Sequence, residues 1–260
     1  VLRIRLAADL GPIDLPFQQA LDHIREINLE AVELDLLKLM PVEDFTRTAV
    51  REIRKNLADR NLRLAAVRFR TLRGFDDPLG LEQRIAQAKK SMELTYQLGG
   101  NLLLIRLGCL PKDRSSTDWQ VLEEVVKEFC RFGERAGAIV VAEAERSPPE
   151  ELAALLNGVP EGGFGVDINP GELAVHGFDP VSAIETLGSR VVTFHATDAT
   201  MRPGGHGYEL APLGSGGIDY PPILSALEAT GFSGFLILRP CGERDPLSEV
   251  RRAKEFIYSL

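Results

Sequence analysis

The sequence predicts a single (β/α)8 barrel built from residues 1–260, and three observations lead to it. Apolar patterning switches repeatedly between short strand-like runs and longer helical ones, the mark of βα units wound around a parallel sheet. Eight such pairs can be laid along the chain. Glycines and prolines fall at the joints between them, and 260 residues is close to the usual length of one such barrel.

The first strand is placed at Leu2–Ala8, where Val1-Leu2-Arg3-Ile4-Arg5 alternates with period two, and the second at Ala31–Leu34. A helix over Asp44–Asp59 leads to a third strand at Leu62–Val67. The next helix, Leu81–Leu98, ends at Gly99-Gly100, and the fourth strand follows at Leu102–Leu107. Thr117–Ala136 places Val121, Val125, Phe129 and Phe132 at helical spacing and stops at Gly137, ahead of a fifth strand at Ala138–Glu143. Glycine suits these stops because it takes the left-handed backbone that other residues resist. Pro148-Pro149 opens the next helix, where a missing N–H costs nothing, and Gly163–Asp167 is the sixth strand. Gly188 precedes the seventh, Val191–Ala196. The longest loop, residues 198–218, follows it and is rich in Gly and Pro. Pro221-Pro222 starts a helix that ends at Gly231, then come the eighth strand at Gly234–Arg239 and a last helix, Pro246–Ser259.

Composition narrows the function classes. With 44% hydrophobic and 26% charged residues the chain can bury a substantial core. Its net charge of −8 disfavours nucleic acid as a partner, because displacing counterions takes a basic face. Cys109, Cys130 and Cys241 are scattered without CxxC spacing, so reduced thiols are expected instead of a disulfide framework or a zinc knuckle. No run of about 18 apolar residues suggests a membrane span. The chain begins at Val1, which leaves room for a preceding segment; cytoplasm is the default expectation and a homo-oligomer is left open.

Barrels of this class keep their chemistry at the carboxyl ends of the strands. Side chains alternate along a strand, so a polar residue there is tested by asking whether its i−2 neighbours suit the barrel interior. Glu143 is in step with Val141 and Ile139, His195 with Thr193 and Val191, Arg239 with Ile237 and Phe235, and Arg106 with Leu104 and Leu102. Asp167 follows Gly165, Glu33 follows Ala31, and Arg68 also reaches a strand end. Asp9 is in step with Arg5 and Arg3, which an interior cannot readily accept, and is left out. A lone strand-end carboxylate is more often a helix cap or a rim ion pair. Glu143, Asp167 and His195 on three successive strands are harder to dismiss, since carboxylates held close together repel and need a cation between them. His23, His176 and His206 fall in a helix and in loops and are read as surface residues.

Gly137-Ala138-Ile139-Val140-Val141-Ala142-Glu143, Gly165-Val166-Asp167, Phe194-His195-Ala196-Thr197-Asp198 and the stretch Pro212-Leu213-Gly214-Ser215-Gly216-Gly217-Ile218-Asp219 are the specific text of the chain. With Ala31-Val32-Glu33-Leu34 they resemble the xylose isomerase-like TIM-barrel superfamily, which holds sugar and sugar-phosphate isomerases and epimerases, inosose dehydratase and endonuclease IV. The resemblance covers nearly the whole chain. It implies proton transfer beside a carbonyl of a small polyhydroxylated, sugar or sugar-phosphate, substrate. It also implies a divalent metal such as manganese or zinc, held by Glu143, Asp167 and His195.

Three departures stand against that pattern. The family's last strand closes with a metal-binding Glu, whereas Phe235-Leu236-Ile237-Leu238 here leads to Arg239. Pro170 stands where a substrate-holding His is common, and Ser215 where a Glu is common. Exchanging an anion for a cation changes the local charge by two units, and at 4 Å and an effective dielectric near 20 each unit pair is worth about 4 kcal/mol. The expectation is therefore a site without metal in which Arg239 bridges Glu143 and Asp167. Glu143, His195 and Arg239 are the expected catalytic residues, and Glu33, Arg68, Arg106 and Asp167 the expected substrate contacts. The alternative is a silent binding or regulatory barrel. A nuclease like endonuclease IV is disfavoured by four histidines and the negative charge.

Overall fold

The computed structural model describes residues 3–143, 146–241 and 245–260. Leu2, where the sequence reading starts the first strand, lies outside the described residues. Eight parallel strands close into a barrel: β1 (Leu6–Asp9), β2 (Ala31–Asp35), β3 (Arg63–Phe69), β4 (Leu102–Ile105), β5 (Ile139–Glu143), β6 (Phe164–Ile168), β7 (Val191–Ala196) and β10 (Leu236–Leu238). Two further strands, β8 (Asp198–Met201) and β9 (Tyr208–Ala211), pair antiparallel. The long loop expected after the seventh strand thus contains a hairpin. The helices are α1 (Phe17–Glu26), α2 (Leu36–Leu39), α3 (Arg47–Asp59), α4 (Leu81–Gln97), α5 (Thr117–Ala136), α6 (Pro149–Leu156), α7 (Pro170–Val175), α8 (Pro180–Leu187), α9 (Tyr220–Ala229) and α10 (Pro246–Ser259). None is long and apolar enough to cross a membrane.

The chain closes in the order β1, β10, β7, β6, β5, β4, β3, β2, so each strand lies beside its neighbour in the expected barrel sequence. Alternation then divides the apolar residues into two cores. Val32, Val67, Leu103, Val140, Val166 and Phe194 face the helices. Ala7, Ala31, Ala66, Leu104, Val141 and Ile237 fill the barrel. The three alanines lie on adjacent strands, and two residues further along those strands stand Asp9, Glu33 and Arg68. Small side chains below leave room for long charged ones above.

Helix α5 shows how local chemistry sets an element. Ser116 caps it by accepting from Trp119 N at 3.2 Å, and Gly137 ends it in the left-handed region at φ 75°. Its buried stripe is Trp119, Leu122, Val125, Val126 and Phe129, with Phe129 edge-on to Phe75. Val121, expected in the stripe, is exposed because Trp119 and Leu122 turn the apolar face away from it. Cys109, Cys130 and Cys241 are all free thiols.

Two register shifts matter for the site. Val32 pairs with Leu64 and Glu33 with Ala66, so Ala65 is the extra residue on β3. Val166 pairs with Val191 and Asp167 with Thr193, so Val192 is the extra residue on β7. Val191 consequently faces the helices, not the interior as strict alternation from His195 would have it. Gly165 sits against this irregularity, and a Cβ on it would come within 2.3 Å of Val192 Cγ2. Gly165→Ala should therefore destabilise the barrel by about 1–3 kcal/mol in urea unfolding, as overpacking does. A change under about 0.5 kcal/mol would show that Val192 yields freely.

Candidate functional site

The strand-end residues converge, though around a different cation from the one expected. Arg68, from β3, reaches across the barrel mouth and donates from Nε to Glu33 Oε1 at 2.7 Å. Its Nη1 pairs with Glu143 Oε1, and its Nη2 lies 3.1 Å from His195 Nε2. Arg239 instead donates from Nε to Asp9 Oδ2 at 2.8 Å, with Nη2 3.9 Å from Glu33 Oε1. The expectation that Arg239 bridges Glu143 and Asp167 is corrected: Arg68 holds Glu143, and no cation bridges it to Asp167 among the described residues. Asp9, left out on the basis of sequence, belongs to the site and is fully enclosed. The objection to it was Arg5 and Arg3, but an interior stripe has two open ends. Arg5 lies at the other end, over the Phe235 ring at 3.9 Å.

His195 and Asp167 form a second layer of the same network. His195 Nδ1 donates to Asp167 Oδ2 at 2.7 Å, and Asp167 Oδ1 accepts from the Thr193 hydroxyl at 2.8 Å. His195 Nε2 lies 2.8 Å from Glu33 Oε2. Both ring nitrogens face carboxylate oxygens at hydrogen-bonding distance, so a proton on each satisfies Asp167 and Glu33, while Arg68 Nη2, itself a donor, then finds no acceptor in Nε2. Burial alone would push the imidazole down, but Asp167 and Glu33 outweigh it and raise His195 from 6.5 to about 10. Burial would likewise push Glu33 up, yet Arg68 and His195 hold it at about 2. Asp9 is raised, by burial first and then by the charge on Glu33.

Asp9, Glu33 and His195 bring one ligand atom each within 4.8 Å of one another, a group with metal-binding residue types. The trio expected from sequence, Glu143, Asp167 and His195, does not form such a group among the described residues. Each member of the group is already engaged: Asp9 Oδ2 with Arg239, Glu33 Oε1 with Arg68, and His195 with Asp167 and Glu33, so an ion here would have to displace guanidiniums and a proton.

These groups sit at one side of a cavity of about 830 Å³ lined by residues that include Asp9, Arg68, Arg106, Glu143, Arg146, Glu172 and Arg239. Glu143 is 12% exposed, while Glu33 is fully enclosed and Asp167 and His195 are 1% and 0% exposed. Of the residues expected to touch a ligand, Arg68, Arg106, Glu143 and Arg239 line the cavity, whereas Glu33, Asp167 and His195 stand behind them. The Gly-rich stretch after the hairpin has another task. Gly214 N and Gly216 N donate to Asp198 Oδ2, and Ala199 N and Ile218 N to Asp198 Oδ1. Pro170 begins α7 under an Asn169 cap that accepts from Glu172 N.

The profile of the xylose isomerase-like TIM barrel family matches residues 21–260. The chain belongs to this family. A search of curated proteins finds no relative of it. Among solved structures, a xylose isomerase domain protein from Planctomyces limnophilus superposes with a TM-score of 0.84 at 16% identity, covering 99% of this chain and 96% of that one. A D-psicose 3-epimerase from Clostridium cellulolyticum, solved with D-tagatose, gives 0.79 at 15% identity, covering 98% and 99%. A xylose isomerase-like TIM barrel protein from Mycobacterium smegmatis, in complex with magnesium, gives 0.73 at 18% identity, covering 100% and 96%. At these identities the likeness is one of fold.

Two outcomes follow from the ion network. His195, raised on folding, contributes stability that is complete below pH 6.5 and lost as pH rises toward 10. Glu33, lowered on folding, contributes stability that is complete above pH 4.5 and lost as pH falls toward 2, with Asp9 working against it on that side. Urea midpoints should therefore fall from pH 6.5 to 10, and fall less in His195→Gln; a flat alkaline limb in the native protein refutes the doubly protonated imidazole. Arg68→Ala should cost about 3–5 kcal/mol, because it strands buried carboxylates. It should also create a response to manganese or zinc that the native protein lacks, about 2.7 kcal/mol at a hundredfold excess over Kd. Thermal-shift titrations read both effects, and identical metal responses in the two proteins would mean that Arg68 does not occupy an ion's place.

Proposed function

We propose that this chain is a sugar isomerase-type enzyme that moves a proton beside the carbonyl of a small polyhydroxylated substrate, using guanidinium groups in place of a resident metal. The observation that carries the reading is the setting of Glu143. It lines the cavity with part of its carboxylate open, while Arg68 fixes one oxygen from behind. A carboxylate so placed can take a proton from the carbon next to a carbonyl and return it to the neighbouring carbon, while the proton of the adjacent hydroxyl passes to the former carbonyl oxygen. Arg68 and Arg239 border the same cavity, and their charges favour the enediolate that forms between the two transfers. Arg239 Nη2 is enclosed, without a hydrogen bond among the described residues and 3.9 Å from Glu33 Oε1, so Arg239 acts on the cavity through its charge. His195 acts as a positioning residue, since it holds Glu33, which in turn orients Arg68.

Isomerisation suits this site better than epimerisation. Inverting a stereocentre takes a base on one face and an acid on the other, and the last strand presents Arg239, which cannot give up its proton at ordinary pH. A single carboxylate can serve both carbons on one face of a cis-enediol. The substrate class is sugar or sugar phosphate, the whole of residues 1–260 acts as one barrel domain, and the net charge of −8 argues against nucleic acid.

The test is proton NMR in deuterium oxide with a panel of ketoses and aldoses, free and phosphorylated, with chelator present. Deuterium should enter next to the carbonyl of at least one substrate, and Glu143→Gln should slow it roughly 10²–10⁴-fold. Exchange that needs added metal would overturn the metal-free reading. Binding without exchange across the panel would favour the rival, a silent ligand-binding barrel, which the full engagement of the buried carboxylates also suits.

A further inference from the structure

We propose that the barrel mouth holds a phosphomonoester subsite on its β3–β4–β5 side, formed by the start of α4 together with Arg84, Arg106 and Arg146. It narrows the proposed substrate to a phosphorylated sugar, and it rests on the isomerase reading for the carbon skeleton alone.

The charge around the cavity runs against that of the chain. Seven of its lining residues are arginine and three are carboxylate-bearing, in a protein of net charge −8. Most of these arginines are already engaged. Arg68 and Arg239 belong to the buried network, Arg70 Nε meets Asp35 Oδ2 at 2.6 Å, and Arg73 Nη1 meets Asp77 Oδ2 at 2.5 Å. Arg106 and Arg146 are exposed at the ends of β4 and β5, and neither has a carboxylate partner among the described residues.

Arg84 supplies the independent observation. Its side chain is enclosed, its Nη1 and Nη2 donate to the main-chain oxygens of Leu79 and Asp77, and its Nε has no partner among the described residues. Its hydrogen bonds go to carbonyls, and the Asp77 carboxylate, which feels its charge, is already paired with Arg73. Arg84 stands in the first turn of α4, a helix of 17 residues whose N-cap is Gly80 at φ 69° and which no side chain caps. Gly80, Gln83 and Arg84 all line the cavity. The glycine adds no side chain at the helix start; Leu81 N already donates to Pro78 O and Glu82 stands in the first turn, so it is the remaining first-turn N–H groups and the helix dipole that favour an anion.

Barrels often bind phosphate after their seventh and eighth strands, but that side is closed here. The Gly214–Ile218 amides that could cradle an anion already donate to Asp198. A phosphomonoester suits the β3–β4–β5 side better than a carboxylate because it brings more oxygens and nearly two charges to guanidiniums on three elements and a helix start.

Isothermal titration of the whole chain would use fructose 6-phosphate, fructose, glucuronate and inorganic phosphate at about 0.15 M ionic strength. The phosphate ester should bind roughly tenfold or more tightly than fructose, with inorganic phosphate competing for it. Arg106→Gln with Arg146→Gln, both exposed positions, should bring the ester down to the affinity of fructose while the melting temperature is kept. Equal binding of ester and sugar, tightest binding of glucuronate, absence of ester binding, or an unaffected double variant would each overturn the subsite. Ester binding without deuterium exchange would sink the isomerase reading and leave the subsite standing; exchange on free sugars with no preference for the ester would do the reverse.

Discussion

The Arg68 guanidinium is the piece on which the mouth of this barrel depends. It leaves β3 and meets Glu33 of β2, Glu143 of β5 and His195 of β7, tying three strands that are not all neighbours in the sheet. Taking these charges out of water is expensive, and the cost is recovered only because each is matched on several sides. A network of this kind contributes less to net stability than to geometry, since any member moved alone leaves another charge unpaired. The alanines Ala7, Ala31 and Ala66 beneath it make the arrangement sterically possible.

The same arrangement changes what the family's residues can do. Glu143, Asp167 and His195 are the positions that resemble the family's metal ligands, but a fixed organic cation lies between Glu143 and the imidazole, and Asp167 meets the imidazole directly. His195 is pinned between Asp167 and Glu33 and holds a proton on each nitrogen. A guanidinium spreads its charge over a plane and donates along fixed directions, so it can stabilise an oxyanion, but it cannot activate water as a metal does. The chemistry proposed for this site therefore leans on a carboxylate and on positioned donors.

The two sides of the mouth are built for different purposes. On the β7 side, Asp198 gathers the backbone amides of the Gly-rich stretch and Tyr220 donates its hydroxyl to Thr197 O at 2.7 Å, which fixes the hairpin to the barrel. Polar groups there satisfy one another. On the β3–β4–β5 side, arginines outnumber the acids available to them, and a helix start is left uncapped. An acidic protein that concentrates unneutralised cations in one cavity directs anions there by its own field.

The sequence by itself determined the barrel, the order of its strands and most of the residues at their ends. The periodicity of strands and helices is local, and glycine and proline mark its breaks. Inward-facing parity singled out Glu33, Arg106, Glu143, Asp167, His195 and Arg239 without the structure, and Arg68 was named for its place at a strand end. The failures have a common physical cause. Parity states which way a side chain leaves the strand and says nothing of how far it reaches, so it could not tell that Arg68, not Arg239, would cross to Glu143. It also treats a strand as one uninterrupted stripe. The extra residues Ala65 and Val192 shift that stripe, and the open lower end that accepts Arg5 is what let Asp9 enter the site above it. Only the tertiary structure decides which charges meet, because a buried pairing is settled by distance across the barrel, and residues far apart in the chain set that distance.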